Sequence, residues 1–464
     1  MPVMAIRLSK LITPLFAIAV MSCGKEPVPA PVPVTEPSES EILAMVRTDV
    51  QNTAYYKDIF LDGGCELNPG IKQNGKVING RLPYALDKAN IKEREYFLAT
   101  VNDVSEGWTE GDRQIQKNLI SGNPDDINGV LLYPDGDPRF RMFYSFGGHS
   151  DPHGSTLYNS GRANVKTFYE NGGSFVGSCA GAFLAGAYAN GRTRNYFNIW
   201  EGGNMISTGV SSSSIDMHME SDVFASYFGP GKGSTISGIR HNGGGYMDTR
   251  DAPAGTEIIA IFKNEAGQNS SSRKFYDQPS VWAYKASPSS GRLVVTGSHP
   301  EDAPSGNILN LTASMFGYAW DGSGNAKIKG VLANGDLFPI EPGIGDLQCH
   351  HFVLCPGADV SSLSLSVSYQ GDYDMELYLK KDSFAFPDAE PDFSSTASAD
   401  GKVTLTTGPL EKGLWYVTVR CATTVESKEI IIDPEAGLGR YFEYSGPIGV
   451  LNGVPYSIKA EWTY

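Results

Sequence analysis

One stretch constrains this chain more than any other: Gly173-Ser-Phe-Val-Gly-Ser-Cys179-Ala-Gly-Ala-Phe-Leu-Ala-Gly186. It reads as a buried strand, a sharp turn flanked by Gly177 and Gly181, and a helix of small residues. A side chain at the apex of such an elbow is lifted clear of its sheet. The N–H of the next residue and the positive end of the helix can then hold a developing oxyanion. The apex here is Cys179. A structural cysteine packed in a tight turn would give the same local string, so the choice falls to residues elsewhere.

Gly297-Ser-His299-Pro-Glu301 follows the apolar run Leu293-Val-Val-Thr296 and sets a histidine just past a strand end, with a carboxylate two residues on. A thiol needs a base to become a thiolate, and the base needs an acceptor that fixes its tautomer. Cys179, His299 and Glu301 supply nucleophile, base and orienter, with neighbouring Asp302 as an alternative orienter. The pair Gly147-Gly148 ends the apolar run 140–146, so the N–H groups of Gly148 and Ala180 are the expected oxyanion hole. The loop His241, Asn242, Gly243, Gly244 is either a flexible turn or a substrate-facing segment. His149, His153 and His218 read as surface or loop histidines, because none has a carboxylate or histidine at helical metal-binding spacing.

On these strings (Phe146-Gly-Gly148, Gly177-Ser-Cys-Ala-Gly181, His241-Asn-Gly-Gly-Gly245 and Ser298-His-Pro-Glu301), residues 55–320 resemble the class I glutamine amidotransferase-like superfamily. The pattern is most similar to its biotin–protein ligase N-terminal domain type. The resemblance implies an α/β flavodoxin-like fold and a Cys179, His299, Glu301 triad. It also implies an aromatic, glycine-rich loop near the pocket, where this chain has His241 instead. No substrate follows from it, since one fold hosts many reactions.

The N-terminus carries a targeting pattern. Arg7 and Lys10 precede the apolar residues 11–21, a run too short to span a bilayer as a mature helix, and Val20-Met-Ser-Cys23-Gly24 follows. This resembles a bacterial lipoprotein signal that lipidates Cys23. The Pro-rich residues 26–37 would then form a semi-rigid polyproline II tether. The expected organisation is a signal peptide at 1–22, a tether at 23–45, an amidotransferase-like α/β domain at 46–325 and a β-sandwich at 345–464. The formal charge of −15 and the lack of a basic cluster argue against nucleic-acid binding. Four cysteines besides Cys23 and Cys179, namely Cys65, Cys349, Cys355 and Cys421, are available for disulfides in an exported protein, with pairing undetermined. Cys349-His350-His351 with Cys355 reads as an entering strand and not as a metal site, and no cofactor is expected.

A short amphipathic helix is expected over 38–52, started by a Ser-x-x-Glu cap, and another over 161–171. Strands are expected at 59–61, 96–100, 140–146, 258–262 and 292–296, in a largely parallel sheet. Beyond residue 347, period-two runs at 362–369, 375–379, 403–407, 414–420 and 456–462 predict the sandwich. Gly371-Asp-Tyr-Asp-Met-Glu-Leu-Tyr378 and Gly413-Leu-Trp-Tyr-Val-Thr-Val419 resemble the bacterial pre-peptidase C-terminal domain, an accessory module of secreted enzymes. Asp372 and Asp374 read as solvated turn carboxylates.

The functional expectation is an exported, membrane-anchored lipoprotein at the outer membrane or cell surface. Its domain would hydrolyse an amide or other C–N bond in a small-molecule or peptide substrate through a thioester. No ATP-dependent synthetase partner is expected, because ATP is scarce outside the cytoplasm. The alternative is a catalytically inactive surface protein that uses the same fold and the sandwich to bind a ligand or polymer.

Overall fold

The computed structural model describes residues 34–63, 71–73, 76–78, 80–97, 119–187, 195–263, 275–433 and 438–464. The leader, Cys23, residues 24–33 of the tether, Cys65 and residues 98–100 of one expected strand lie outside them. Chain contacts separate Met1–Thr35 from Glu36–Tyr464. No described helix is long and apolar enough to cross a membrane.

A nine-stranded sheet organises the first part of the larger unit. Its strands are β1 (Lys57–Asp62), β2 (Arg94–Phe97), β3 (Phe140–Ser145), β4 (Ser174–Ser178), β5 (Ser213–Met219), β6 (Thr235–His241), β7 (Glu257–Phe262), β8 (Pro279–Tyr284) and β9 (Leu293–Thr296). The spatial order is β2-β1-β3-β4-β9-β8-β7-β5-β6. The first five are parallel. The remaining four join them and one another antiparallel. The largely parallel sheet expected from sequence is therefore half correct, and the strand at 258–262 belongs to the antiparallel half. Only residues 285–292 separate β8 from β9, too few for the helical crossover that a parallel pair requires.

The first helix, α1 (Glu39–Met45), packs through Ile42 on Val353, Cys355 and Phe384 of the β-rich remainder. Helices α2 (Leu82–Lys88), α3 (Ser150–Thr156), α4 (Tyr158–Glu170), α5 (Ala180–Ala185) and α6 (Gly306–Asp321) accompany the nine-stranded sheet and cover both its faces. Ser38 and Glu41 close a capping box on α1, as the Ser-x-x-Glu string requires. Successive strand side chains point to opposite faces. Phe143, Phe175 and Val295 accordingly join one core with Val165 and Phe168 of α4 and Leu184 of α5. Met142, Tyr144, Val176 and Val294 join the other with Leu82 and Leu86 of α2 and Leu311 and Phe316 of α6.

The β-rich remainder forms two five-stranded sheets. One takes Ile328–Val331, Cys349–Leu354, Trp415–Cys421, Met375–Lys381 and Phe393–Ser395; the other takes Leu337–Ile344, Val454–Thr463, Ser362–Tyr369, Lys402–Thr407 and Ser398–Ala399. Alternate residues (Leu363, Leu365 and Val367 against Leu377, Val417 and Val419) fill the core between them. Two of these strands lie before residue 345. This half is clasped to the α/β sheet by a fully buried ion pair, Arg139 Nη2 to Asp346 Oδ2 at 2.6 Å, and by Tyr444 Oη donating to Glu95 Oε2 at 2.5 Å.

Of the cysteines available for disulfides, Cys349, Cys355 and Cys421 are free among the described residues. Register accounts for one pair. Cys349 faces Arg420 across the ladder, so Cys421, one residue on, points to the opposite face.

Candidate active site

Three parallel strands end at the same place. β3 runs out at Ser145, β4 delivers Ser178 and Cys179, and β9 delivers Thr296 and then His299. The carboxyl ends of parallel strands are where open α/β sheets build sites. Cys179 adopts φ 49°, ψ −108°, a left-handed conformation disfavoured for a residue with a Cβ and common where function imposes strain. The adjacent strand holds the turn, since the Cys179 N–H donates to the Thr296 carbonyl at 2.9 Å.

Glycine is required on both sides of this elbow. A Cβ on Gly181 would sit 2.0 Å from the Ser145 carbonyl oxygen, and one on Gly177 would sit 2.8 Å from the Gly181 carbonyl carbon. Gly147 serves the site itself, because a Cβ there would lie 2.5 Å from His299 Cε1 and 3.5 Å from Cys179 Cβ. Gly148 follows with φ 121°.

His299 is 2% exposed, and its Nδ1 lies 2.9 Å from Glu301 Oε1. Burial works against a charged imidazole here. The Glu301 carboxylate, a hydrogen bond with Cys179 and the hydrogen bond with Glu301 outweigh it and raise His299 to about 10. Asp302 faces elsewhere and pairs with Arg240. The sequence did not reveal Ser178, whose Oγ donates to Glu301 Oε1 at 3.0 Å and lies 2.9 Å from Tyr144 Oη. Its only sequence signal is its position before the apex cysteine.

The loop after β6 reaches the same site. His241 is fully buried, with Nδ1 2.9 Å from Ser298 Oγ and Nε2 2.7 Å from Thr208 Oγ1. Desolvation, reinforced by the charge of His299, lowers it to about 4. Asn242 and Gly243 are exposed, and the Asn242 carbonyl accepts a hydrogen bond from Cys179 Sγ at 3.6 Å. Gly244 packs so closely on Gly297 that a Cβ would lie 1.7 Å from the Gly297 oxygen. The loop thus abuts the thiol, while His241 is its buried root.

His153 is a correction. Expected at the surface or in a loop, it is fully buried on α3, with Nε2 2.6 Å from Asp62 Oδ2. The polar string Ser-Asp-Pro-His-Gly-Ser-Thr of α3 has no apolar periodicity that could have announced this burial. His149 is exposed and His218 half-buried. In the other half, His350 meets Tyr456 and Asp135, and His351 meets Thr418. Among the described residues no three His, Cys, Asp or Glu side chains gather as a metal site would.

No family model matches the sequence, and no curated protein matches it. Among solved structures, a glutamine amidotransferase is similar over 39% of this chain and 80% of its own, at 17% identity and TM-score 0.27. A putative GMP synthase protein from Thermoplasma acidophilum is similar over 57% and 95%, at 10% identity and TM-score 0.30. The pre-peptidase C-terminal domain of collagenase from Bacillus anthracis is similar over 28% and 90%, at 11% identity and TM-score 0.18.

Proposed function

We propose that this protein is an exported lipoprotein whose α/β domain hydrolyses an amide or related C–N bond with Cys179 as nucleophile. The observation that carries the reading is convergence: the Cys179 elbow, the His299–Glu301 pair at 2.9 Å and the Gly147–Gly148 turn meet at the ends of adjacent parallel strands. The strand order β2-β1-β3-β4-β9 in the parallel half supports a flavodoxin-like core of the amidotransferase-like kind. Within that superfamily, the strings Ser298-His-Pro-Glu301 and Gly177-Ser-Cys-Ala-Gly181 favour the biotin–protein ligase N-terminal domain type.

In the proposed reaction the Cys179 thiolate attacks the amide carbonyl carbon. The carbonyl oxygen takes up the electron pair and is held by the N–H groups of Gly148 and Ala180. Protonated His299 gives its proton to the departing nitrogen, the C–N bond breaks, and an acyl-thioester remains on Cys179. Neutral His299 then takes a proton from water, which attacks the thioester and releases the acid. Glu301 keeps the imidazole oriented through both steps and stabilises its charge whenever it holds the proton. Lipid on Cys23 would hold the domain at a membrane through the Pro-rich tether. That setting favours hydrolysis over ammonia transfer to a synthetase.

A second reading, a ligand-binding protein without catalysis, draws on the 6% exposure of Cys179 beneath the Asn242 carbonyl. Mass spectrometry after treatment with an electrophilic amide probe separates the two. The hydrolase reading expects Cys179 to label well ahead of Cys349, Cys355 and Cys421, and labelling at that site to vanish in Cys179→Ala. No preference for Cys179 sinks it.

A further inference from the structure

Away from the triad, one histidine–carboxyl contact is sealed completely from solvent. Asp62 ends β1, His153 lies on α3, both side chains are fully buried, and their Oδ2 and Nε2 atoms are 2.6 Å apart. The same Asp62 oxygen accepts a hydrogen bond from Ser145 Oγ at 3.1 Å. The Phe146 N–H donates to the Asp62 carbonyl at 3.1 Å. Neither His153 ring nitrogen has a well-aligned hydrogen bond among the described residues, so the close approach of Nε2 to Asp62 is the polar contact that places the ring.

The location of this pair decides its meaning. Ser145 and His153 bracket the segment that contains Gly147 and Gly148, the first at the end of β3 and the second on α3. Asp62 therefore grips both ends of the glycine turn that packs on His299 and Cys179. Ser145 also touches the elbow from beneath, because its carbonyl oxygen occupies the space a Gly181 side chain would need. On the far side, Gly154 packs on the Asn195 carbonyl and on Leu184 of α5, the helix that follows the nucleophile. The glycine turn is thus tied to the strand on one side and to the nucleophile's helix on the other.

We infer that Asp62 and His153 are positioning residues for the oxyanion hole: their buried contact sets where the Gly148 N–H stands relative to Cys179. This rests on the proposed nucleophile reading. Neither side chain touches the reacting atoms. A buried pair suits the task, since in a low dielectric neither partner is easily exchanged for water. Alkylation of a thiol by iodoacetamide builds no oxyanion at a carbonyl, whereas acylation by an ester does. The clasp therefore affects the second reaction and spares the first.

The test compares two rates at Cys179 in the intact protein: carbamidomethylation by iodoacetamide and burst acylation by p-nitrophenyl acetate. His153→Phe fills the space but removes the polar contact, and His153→Gln restores a polar side chain opposite Asp62. The inference expects His153→Phe to lower acylation about tenfold or more while alkylation stays within about twofold, because a displaced hole donor weakens only oxyanion stabilisation. His153→Gln should recover most of the loss. Asp62→Asn gives the same comparison if His153→Phe does not fold. Unchanged acylation in a folded variant overturns the inference, as does an equal fall in both rates, which marks general loss of site structure. If the wild-type protein shows no Cys179-selective reaction with either reagent, the nucleophile reading fails and takes this inference with it; selective wild-type labelling with indifferent variants refutes the clasp alone.

Discussion

Ser178 Oγ and His299 Nδ1 converge on one oxygen, Glu301 Oε1, at 3.0 and 2.9 Å. The residue before Cys179 thereby helps fix the carboxylate that would orient the proposed base. Strand β4 thus leads into the candidate nucleophile and ends on the residue that supports its proposed partner.

Ser178→Ala removes one of these two contacts to Glu301 and leaves the other. Loss of one buried hydrogen bond to a carboxylate should destabilise the fold by about 2 kcal/mol. A base oriented less firmly should also slow Cys179 acylation about tenfold. Urea unfolding and burst kinetics on the same preparation check both effects.

The pH dependence of stability follows from the raised His299. The folded imidazole holds its proton to about 10, while an unfolded histidine releases it near 6.5. The stabilisation is complete below the unfolded value and is lost as pH rises toward and through 10. Glu301→Gln removes the principal partner of the charge, so the wild type should lose more stability than the variant between pH 7 and 10. Thermal melts across that range would contradict the pairing if the two curves ran parallel.

His241 works in the opposite direction. Its lowered folded value of about 4 means the unfolded chain takes up a proton first as pH falls below about 6.5. The native state should therefore lose stability between pH 6.5 and 4 through this residue. His241→Gln, which keeps a polar group against Ser298 and Thr208, should flatten that part of the acid profile.

Gly181→Ala tests the elbow sterically. The added methyl would lie 2.0 Å from the Ser145 carbonyl oxygen, and backbone cannot step aside as a flexible side chain can. Destabilisation of about 3 kcal/mol is expected. Gly202→Ala meets nothing within 4 Å but sits at φ 75°, so it should show only the cost of the backbone conformation.

Asp346→Asn probes the join between the α/β sheet and the β-rich half. It leaves the buried Arg139 guanidinium without its carboxylate, and a loss of about 3–5 kcal/mol is expected. Calorimetry should show this as a lowered melting temperature for Glu36–Tyr464 as a whole. A variant with unchanged melting would mean that Tyr444 and the rings stacked on Arg139 hold the join alone.

The sequence by itself determined the local pieces. The glycine spacing around Cys179 specified a strand, a tight turn and a helix, because only glycine permits the backbone approaches found at Gly177 and Gly181. Period-two burial specified the strands of the β-rich half, since alternation is a property of each strand alone. The string Ser298-His-Pro-Glu301 placed base and carboxylate two residues apart, close enough that one turn of 3-10 helix brings Glu301 back onto His299. The tertiary structure alone decided which distant residues meet. The antiparallel half of the sheet was hidden because pairing direction depends on connections and not on strand composition. The burial of His153 against Asp62 was hidden because its short polar helix is covered by other elements and carries no apolar pattern of its own. The Cys179 elbow was legible as a shape. Its surroundings (Ser178 on Glu301, the Asn242 carbonyl on the thiol, and the Asp62 clasp beneath the glycine turn) exist only once the strands lie side by side.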